Sequence, residues 1–290
     1  MSSDRSAKVL SRVSQTRPED VVTVLTSENG WALFDFKELK QYRDLFYFLV
    51  WRDIKVLYAQ TVLGFSWAIL NPAVQIVLFS VIFGKVAKLE TGGVPYVLFS
   101  TVAIIPWTYM SDAMTAASQS LVQGKQLLGK IYFPRVLFPL TPILAKLVDF
   151  SISLTILILV MIYYQVTPTW NFLLIPVLIL AMMLVPTGIG MWLAALAIRY
   201  RDVKFAMTYM IKLLIYSAPI LYMASGIPEN LRFWYSLNPI VGVIEGFRAC
   251  LLGGPIDWQY ILPGLFTAVL IFLSGAIYFR RMERVFVDVI

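Results

Sequence analysis

The sequence predicts an all-α membrane protein with six transmembrane helices, an N-terminal amphipathic interfacial helix, and short helices on the outer face before the last span. Three observations carry that prediction. First, 59% of the 290 residues are hydrophobic and only 14% are charged, and mean hydropathy is +0.75, a composition of chains that place much of their surface in lipid. Second, apolar runs lie near 66–84, 94–123, 136–164, 171–197, 205–224 and 259–279, each near the length of about 20 helical residues that a hydrocarbon core requires. Third, the connections between those runs alternate between rich and poor in Lys and Arg.

The basic connections share one side. Loop 124–135 carries Lys125, Lys130 and Arg135, loop 198–204 carries Arg199, Arg201 and Lys204, and the C-terminal tail carries Arg280, Arg281 and Arg284. On the other side, 165–170 has no basic residue, the first outer loop has Lys85 and Lys88, and the long loop 225–258 has Arg232 and Arg248. The positive-inside rule makes the first set cytoplasmic, with both termini. The net charge of +7 then follows from topology, and nucleic acid is not an expected partner. The first 30 residues are polar with balanced charge and no apolar h-region, unlike a cleavable signal peptide. Residues 1–35 are expected to be a cytoplasmic extension of a transmembrane domain spanning 36–290.

Several enzyme classes drop out. The chain has no His and one Cys, Cys250, so Cys/His zinc sites, disulfides and His-based triads are excluded. The string GKQLLGKI at 124–131 matches part of a P-loop, but Ile131 stands where the Mg-binding Ser or Thr belongs and no strand precedes it. No catalytic residue, metal site or bound cofactor is expected, and ATP-driven work would fall to another subunit.

Two further segments read as helices that do not span. Over 37–62, Leu39, Tyr42, Phe46, Leu49, Val50, Ile54, Leu57 and Tyr58 recur at helical spacing against Lys40, Arg43, Asp44, Arg52 and Lys55. That pattern predicts a helix lying on the cytoplasmic leaflet, with Trp51 at headgroup depth. The loop 225–258 is broken at Asn238-Pro239 and predicts two short helices. In the second, Ile240, Val243, Ile244, Phe247 and Leu251 form an apolar stripe, while Glu245 and Arg248 pair at i, i+3. A re-entrant lid and a surface hairpin both fit.

Ionisable residues within predicted spans are costly and point to function or pairing. These are Asp112, Lys146, Asp149 and Lys212. Lys146 and Asp149 sit three apart and are expected to neutralise each other; Asp112 and Lys212 lack a local partner and should face a helix interface or polar cavity. Span two also carries Ser100, Thr101, Thr108, Ser111, Thr115, Ser118 and Gln119, a polarity that fits either helix packing or a pore lining. Trp107 and Tyr109 beside Asp112 combine aromatic faces with polar edges, which suits sugar rings.

The strings FLVWRDIKVLYAQTVLGFSWAILNP (48–72), KIYFPRVLFPL (130–140), RYRDVKF (199–205) and LNPIVGVIEGFR (237–248), in that order, resemble the permease subunit of type 2 polysaccharide ABC exporters, the group that includes O-antigen, capsule and teichoic acid permeases. The resemblance runs from about residue 36 to the C-terminus. It implies a homodimer in the bacterial inner membrane, joined by two copies of a separate P-loop ATPase that holds ATP and Mg. It implies a long glycan, linked through pyrophosphate to a polyprenyl lipid, passing between the protomers.

By position it implies ATPase coupling at Lys125, Lys130, Arg135, Arg199, Tyr200, Arg201, Asp202 and Lys204. It likens 37–62, with Trp51, Arg52, Asp53, Lys55 and Tyr58, to an interfacial gate helix. Residues 228–252, with Trp234, Tyr235, Asn238, Glu245 and Arg248, take the place of an outer gate. Trp107, Tyr109, Asp112 and Tyr222 are the candidates for sugar contact. A permease for drugs or small lipids shares this architecture. A membrane enzyme acting on polyprenyl-linked sugars would have to rely on the isolated carboxylates Asp112 and Asp149.

Overall fold

A computed structural model describes residues 36–59, 64–128, 133–200 and 202–283. The expected extension 1–35 lies outside the described residues, as do Lys130 and Arg201. Among the described residues the structure is all helix and connecting turn, with no strand. In chain order the helices are α1 (Phe36–Gln41), α2 (Arg43–Tyr58), α3 (Ser66–Phe79), α4 (Tyr96–Gln123), α5 (Lys125–Leu128), α6 (Leu137–Tyr163), α7 (Ile175–Arg199), α8 (Asp202–Leu213), α9 (Glu229–Ser236), α10 (Pro239–Leu252) and α11 (Trp258–Glu283). A π-helical stretch Ser80–Val86 extends α3, and a 3-10 turn Trp170–Leu174 leads into α7.

Four of these stretches are long and apolar enough to cross a membrane: Ser66–Val86, Leu137–Tyr163, Trp170–Arg199 and Trp258–Glu283. The second predicted span, α4, has 28 residues and so reaches about 42 Å, ample length, but its Ser, Thr, Asp and Gln content keeps it outside that apolar set. The reason is its position. α4 is the central helix, packed most extensively on α7 and α6, so much of its surface meets protein instead of lipid.

The fifth predicted span, 205–224, is not one helix. α8 ends at Leu213 after 12 residues, about 18 Å and short of a hydrocarbon core of about 30 Å. A 3-10 turn, Leu214–Tyr216, follows, and then irregular backbone in which Ala218, Pro219, Ile220 and Leu221 are buried. Pro219 has no N–H and disfavours helical backbone at Ala218, so the helix stops before it. The two short helices expected after it are present as α9 and α10. Asn238 caps α10, its Oδ1 accepting from the Ile240 N–H at 3.1 Å, with Pro239 opening the helix and Gly253 closing it at φ +75°.

One cluster of buried side chains fixes which helix ends meet. Leu49 of α2, Leu121 of α4, Leu137 and Phe138 of α6, Met191 and Ala194 of α7, and Ala276 and Phe279 of α11 pack together with Phe133. The C-terminal ends of α4, α7 and α11 thus gather at the start of α6, which runs opposite to them. This basic end carries Lys125, Arg199, Arg280 and Arg281, the same grouping that the basic loops predicted.

The structure corrects one expectation about α2. Instead of lying flat across the ends of the spans, α2 runs alongside α6: Leu49 is buried at the basic end, while the Tyr58 hydroxyl donates to Asp149, about 18 Å along α6. Apolar residues on both sides of α2 explain this, because Leu49 packs inward while Tyr47, Phe48 and Val56 stay exposed.

α11 is seated on α7 by close backbone approach. A Cβ at Gly275 would lie 2.3 Å from the Gly188 carbonyl oxygen, and one at Gly188 would lie 2.6 Å from that of Ile271, the kind of contact that small residues permit between membrane helices. Gly275→Leu is expected to lower the thermal unfolding midpoint in detergent, with an overpacking cost of about 1–3 kcal/mol or more. An unchanged midpoint would mean that α11 does not sit on α7 in this way.

Candidate functional site

Near the basic end, α2, α4 and α6 enclose a cleft of about 550 Å³. One wall is the polar stripe of α4, where Asp112, Thr115, Gln119 and Gln123 recur at three and four residues and so share a face. α6 supplies Thr141 and Lys146, and α2 supplies Leu49, Arg52, Asp53, Val56 and Leu57. Of the polar residues that suggested helix packing or a pore lining in span two, Thr115 and Gln119 line this cleft with Asp112, while Ser100, Thr101 and Ser118 are buried in the packing of α4.

The charges in this region are paired. Lys146 Nζ lies 2.7 Å from Asp149 Oδ2, as their spacing predicted, and 4.0 Å from Asp112 Oδ2. Asp112 therefore finds across the α4–α6 contact the partner it lacks locally, while its side chain stays 48% exposed. Arg52 Nη2 donates to Asp53 Oδ1 at 2.8 Å. The Tyr58–Asp149 bond ties α2 to this cluster, and Ser153 Oγ, donating to the Ala68 carbonyl at 2.9 Å, ties α3 to α6 beside it. Lys55 lies over the Trp51 ring at 5.4 Å. Lys212 is exposed on α8 with no ion-pair partner among the described residues.

Two of the proposed sugar-contact residues are placed otherwise. Trp107 is 4% and Tyr109 3% exposed; the Tyr109 hydroxyl donates to the Ile143 carbonyl at 3.1 Å and its ring meets Phe150 edge-on. They pack the core of the protomer, and Tyr109 also borders a smaller cavity of about 180 Å³ shared with Asp112 and Lys146. The signal of aromatic residues beside an acid was real, but an aromatic on a central helix is used first for packing.

At the opposite end, six carbonyls of the irregular segment after α8 are taken up by side chains. Tyr222 Oη donates to the Tyr216 carbonyl at 3.2 Å, Asn238 Nδ2 to Ser217 at 3.0 Å, and Tyr96 Oη to Leu221 at 3.0 Å. Arg248 donates from Nη2 to Ile220 at 3.3 Å and from Nη1 to Tyr222 at 3.5 Å, and Tyr260 Oη reaches Ala224 at 3.4 Å. Tyr235 Oη donates to Tyr222 Oη at 3.1 Å. Arg248 is the hub. It is 6% exposed, its Nη1 donates to Glu245 Oε1 at 2.8 Å, and its guanidinium lies 3.7 Å from the centroid of the Phe99 ring. Burial pushes the Glu245 carboxyl up, and the Arg248 guanidinium beside it pulls it back down.

Asn238, Glu245, Arg248, Tyr222 and Tyr235, expected at an outer gate or channel, thus converge as a clamp on the break after α8. Trp234 is different, exposed on α9 beside Phe233. Tyr96, Phe99 and Tyr260 escaped sequence reasoning. The available signal was a Tyr in an apolar run, whose hydroxyl must find an acceptor when buried.

The residues named for ATPase coupling divide similarly. Lys125, Arg199, Tyr200, Asp202 and Lys204 are exposed at the basic end, with Arg199 5.4 Å from the Tyr200 ring. Arg135 instead donates from Nη1 to the Glu283 carbonyl at 2.8 Å, capping the last turn of α11 where a cation is favoured. Asp202 stands in the first turn of α8, where the helix dipole favours a carboxylate whether or not a partner docks. No group of three or more His, Cys, Asp or Glu able to hold a metal occurs among the described residues.

Comparison with known proteins places this arrangement. Residues 44–252 match the family described as ABC-2 type transporter. The chain is similar to the O-antigen export system permease protein RfbA of Myxococcus xanthus, 27% identical over 258 residues that cover 86% of this chain and 96% of the relative. It is also similar to RfbA of Klebsiella pneumoniae, 24% identical over 248 residues (85% and 95%). The polysialic acid transport protein KpsM of Escherichia coli is 24% identical over 242 residues (80% and 91%).

The clamp makes a stability prediction. Arg248→Leu leaves Glu245 and two carbonyls without their partner and is expected to destabilise the protein by about 3–5 kcal/mol. Adding Glu245→Leu should restore part of that, because the uncompensated charge goes with it. Thermal unfolding of the two variants in detergent measures both, and a single variant as stable as the parent contradicts the clamp.

Proposed function

The chain belongs to the ABC-2 type transporter family, and we propose that it is the membrane permease of an ATP-driven exporter that moves a polysaccharide of the O-antigen or capsule type outward across a bacterial inner membrane. The observation that carries the proposal is similarity over nearly the whole length of permeases and transport proteins named for polysaccharides. The polar stripe of α4 supports a hydroxylated cargo over drugs or small lipids.

In this proposal two protomers form the channel and two ATPase subunits, holding ATP and Mg, dock at the inner end. The cargo is carried on a polyprenyl pyrophosphate. The chain crosses the membrane six times with both termini in the cytoplasm, α8 and the irregular segment together making the fifth crossing. Lys125, Arg199, Tyr200, Arg201, Asp202 and Lys204 present mixed charge and an aromatic to the ATPase, a surface suited to specific docking.

The connectivity gives a route for the coupling. α8 begins at the docking residues and ends at the clamped segment, so a displacement of its first turn is delivered to Arg248, Tyr222 and α10 at the outer end. α9 and α10 then act as the outer gate and α2 as the inner one. The exposed Trp51 and Trp234 are anchors at the two membrane interfaces.

Deleting the gene from its native host should remove the surface polysaccharide and leave the glycan inside the cell, with display restored by the wild-type chain; unchanged display would sink the proposal. In the purified complex, replacing Arg201 and Asp202 together by Ala should weaken docking by about 2–5 kcal/mol if both are buried against the ATPase. The readouts are co-purification of the ATPase and coupled export.

A further inference from the structure

We propose that the inner cleft between α2, α4 and α6 is a binding site, within each protomer, for an uncharged and hydroxyl-rich stretch of glycan, and that it does not hold the pyrophosphate. The inference rests on the exporter reading and adds to it a site whose chemistry is selective.

The selectivity comes from which hydrogen-bonding groups are already used. Thr115 Oγ1 donates to the Ser111 carbonyl at 2.8 Å and Ser120 Oγ to Ala117 at 2.7 Å. Each of these lining hydroxyls has its proton turned into its own helix and its lone pairs left to accept. The carboxylates of Asp53 and Asp112 are acceptors as well. Gln123 Nε2 donates to Gln119 Oε1 at 3.3 Å, which leaves the Gln123 carbonyl as another acceptor and the Gln119 amide as a donor.

The two cations of the lining are committed, Arg52 to Asp53 and Lys146 to Asp149. A phosphate group only accepts at neutral pH; here it would face two carboxylates and no unpaired cation. Sugar hydroxyls donate, and find a row of acceptors. Opposite that row, the exposed Val56 and Leu57 of α2 offer apolar surface for the C–H face of a ring. The volume of about 550 Å³ lies within the range of ligand clefts, roughly 300–1,000 Å³, and the cleft is in the inner half of the protein, where cargo enters.

The test is protection of an introduced thiol in the full chain, co-purified with its ATPase in lipid nanodiscs. Cys250 is buried, so maleimide labelling of Gln119→Cys reports on the cleft. Gln123→Cys provides a second position, and Ser225→Cys at the outer end is the control. The probes are the host's own glycan, freed of lipid and pyrophosphate by mild acid, and undecaprenyl pyrophosphate without sugar. With glycan at about ten times its dissociation constant the site is about nine-tenths filled, so labelling at 119 and 123 should slow about tenfold, with 225 unaffected and undecaprenyl pyrophosphate inert.

Protection by the lipid pyrophosphate alone would give the cleft to the headgroup, and protection by neither probe would leave it without a substrate role; each overturns the inference. Surface display in the deletion strain separates this failure from that of the exporter reading. Display that depends on the chain, with thiols unprotected, removes only the cleft.

Discussion

An irregular stretch of buried backbone needs a partner for every carbonyl it exposes, and much of the half of this protein opposite the basic end is arranged to meet that need. Helix α8 stops before Pro219, and the carbonyls from Tyr216 to Ala224 that a continued helix would have satisfied internally are met instead by Tyr96, Tyr222, Asn238, Arg248 and Tyr260. Non-helical backbone at membrane depth is tolerated only where protein or water supplies such bonds. α4, α10 and α11 are therefore held to this one segment, and Arg248, stacked on Phe99 and paired with Glu245, joins three of the elements at once.

The inner half obeys a different constraint. There the helix ends converge on an apolar cluster, and the polar groups between α2, α4 and α6 gather in the cleft and in the Asp112–Lys146–Asp149 set beside it. Placing a polar α4 at the centre resolves two requirements together: the helix avoids lipid, and its Thr and Gln face reaches a cavity. The glycine contacts between α7 and α11 bring those backbones close enough to leave little void at the centre of the bundle.

How much of this was legible varies by residue for physical reasons. The Lys146–Asp149 pair was readable because three residues along a helix is a contact distance regardless of fold. The break at Asn238-Pro239 was readable because capping and proline chemistry are local. The basic loops were grouped on one side because insertion reads charge directly. Trp107 and Tyr109 were misplaced because their periodicity on α4 does not say which face meets α6. Arg135 looked like a surface cation until the end of α11, 148 residues on, was seen to take its guanidinium.

The sequence by itself determined the composition class, the grouping of the basic loops at one end, the absence of a complete nucleotide motif and the family resemblance, since each depends on residue type and short spacing alone. Only the tertiary structure decided that the fifth apolar run is a short helix joined to a clamped irregular segment, that α2 runs alongside α6, and that the polar stripe of α4 opens into a cleft. Those facts rest on contacts between residues far apart in the chain, such as Tyr96 with Leu221 and Tyr58 with Asp149. Local propensity cannot specify a partner that the fold alone brings within reach.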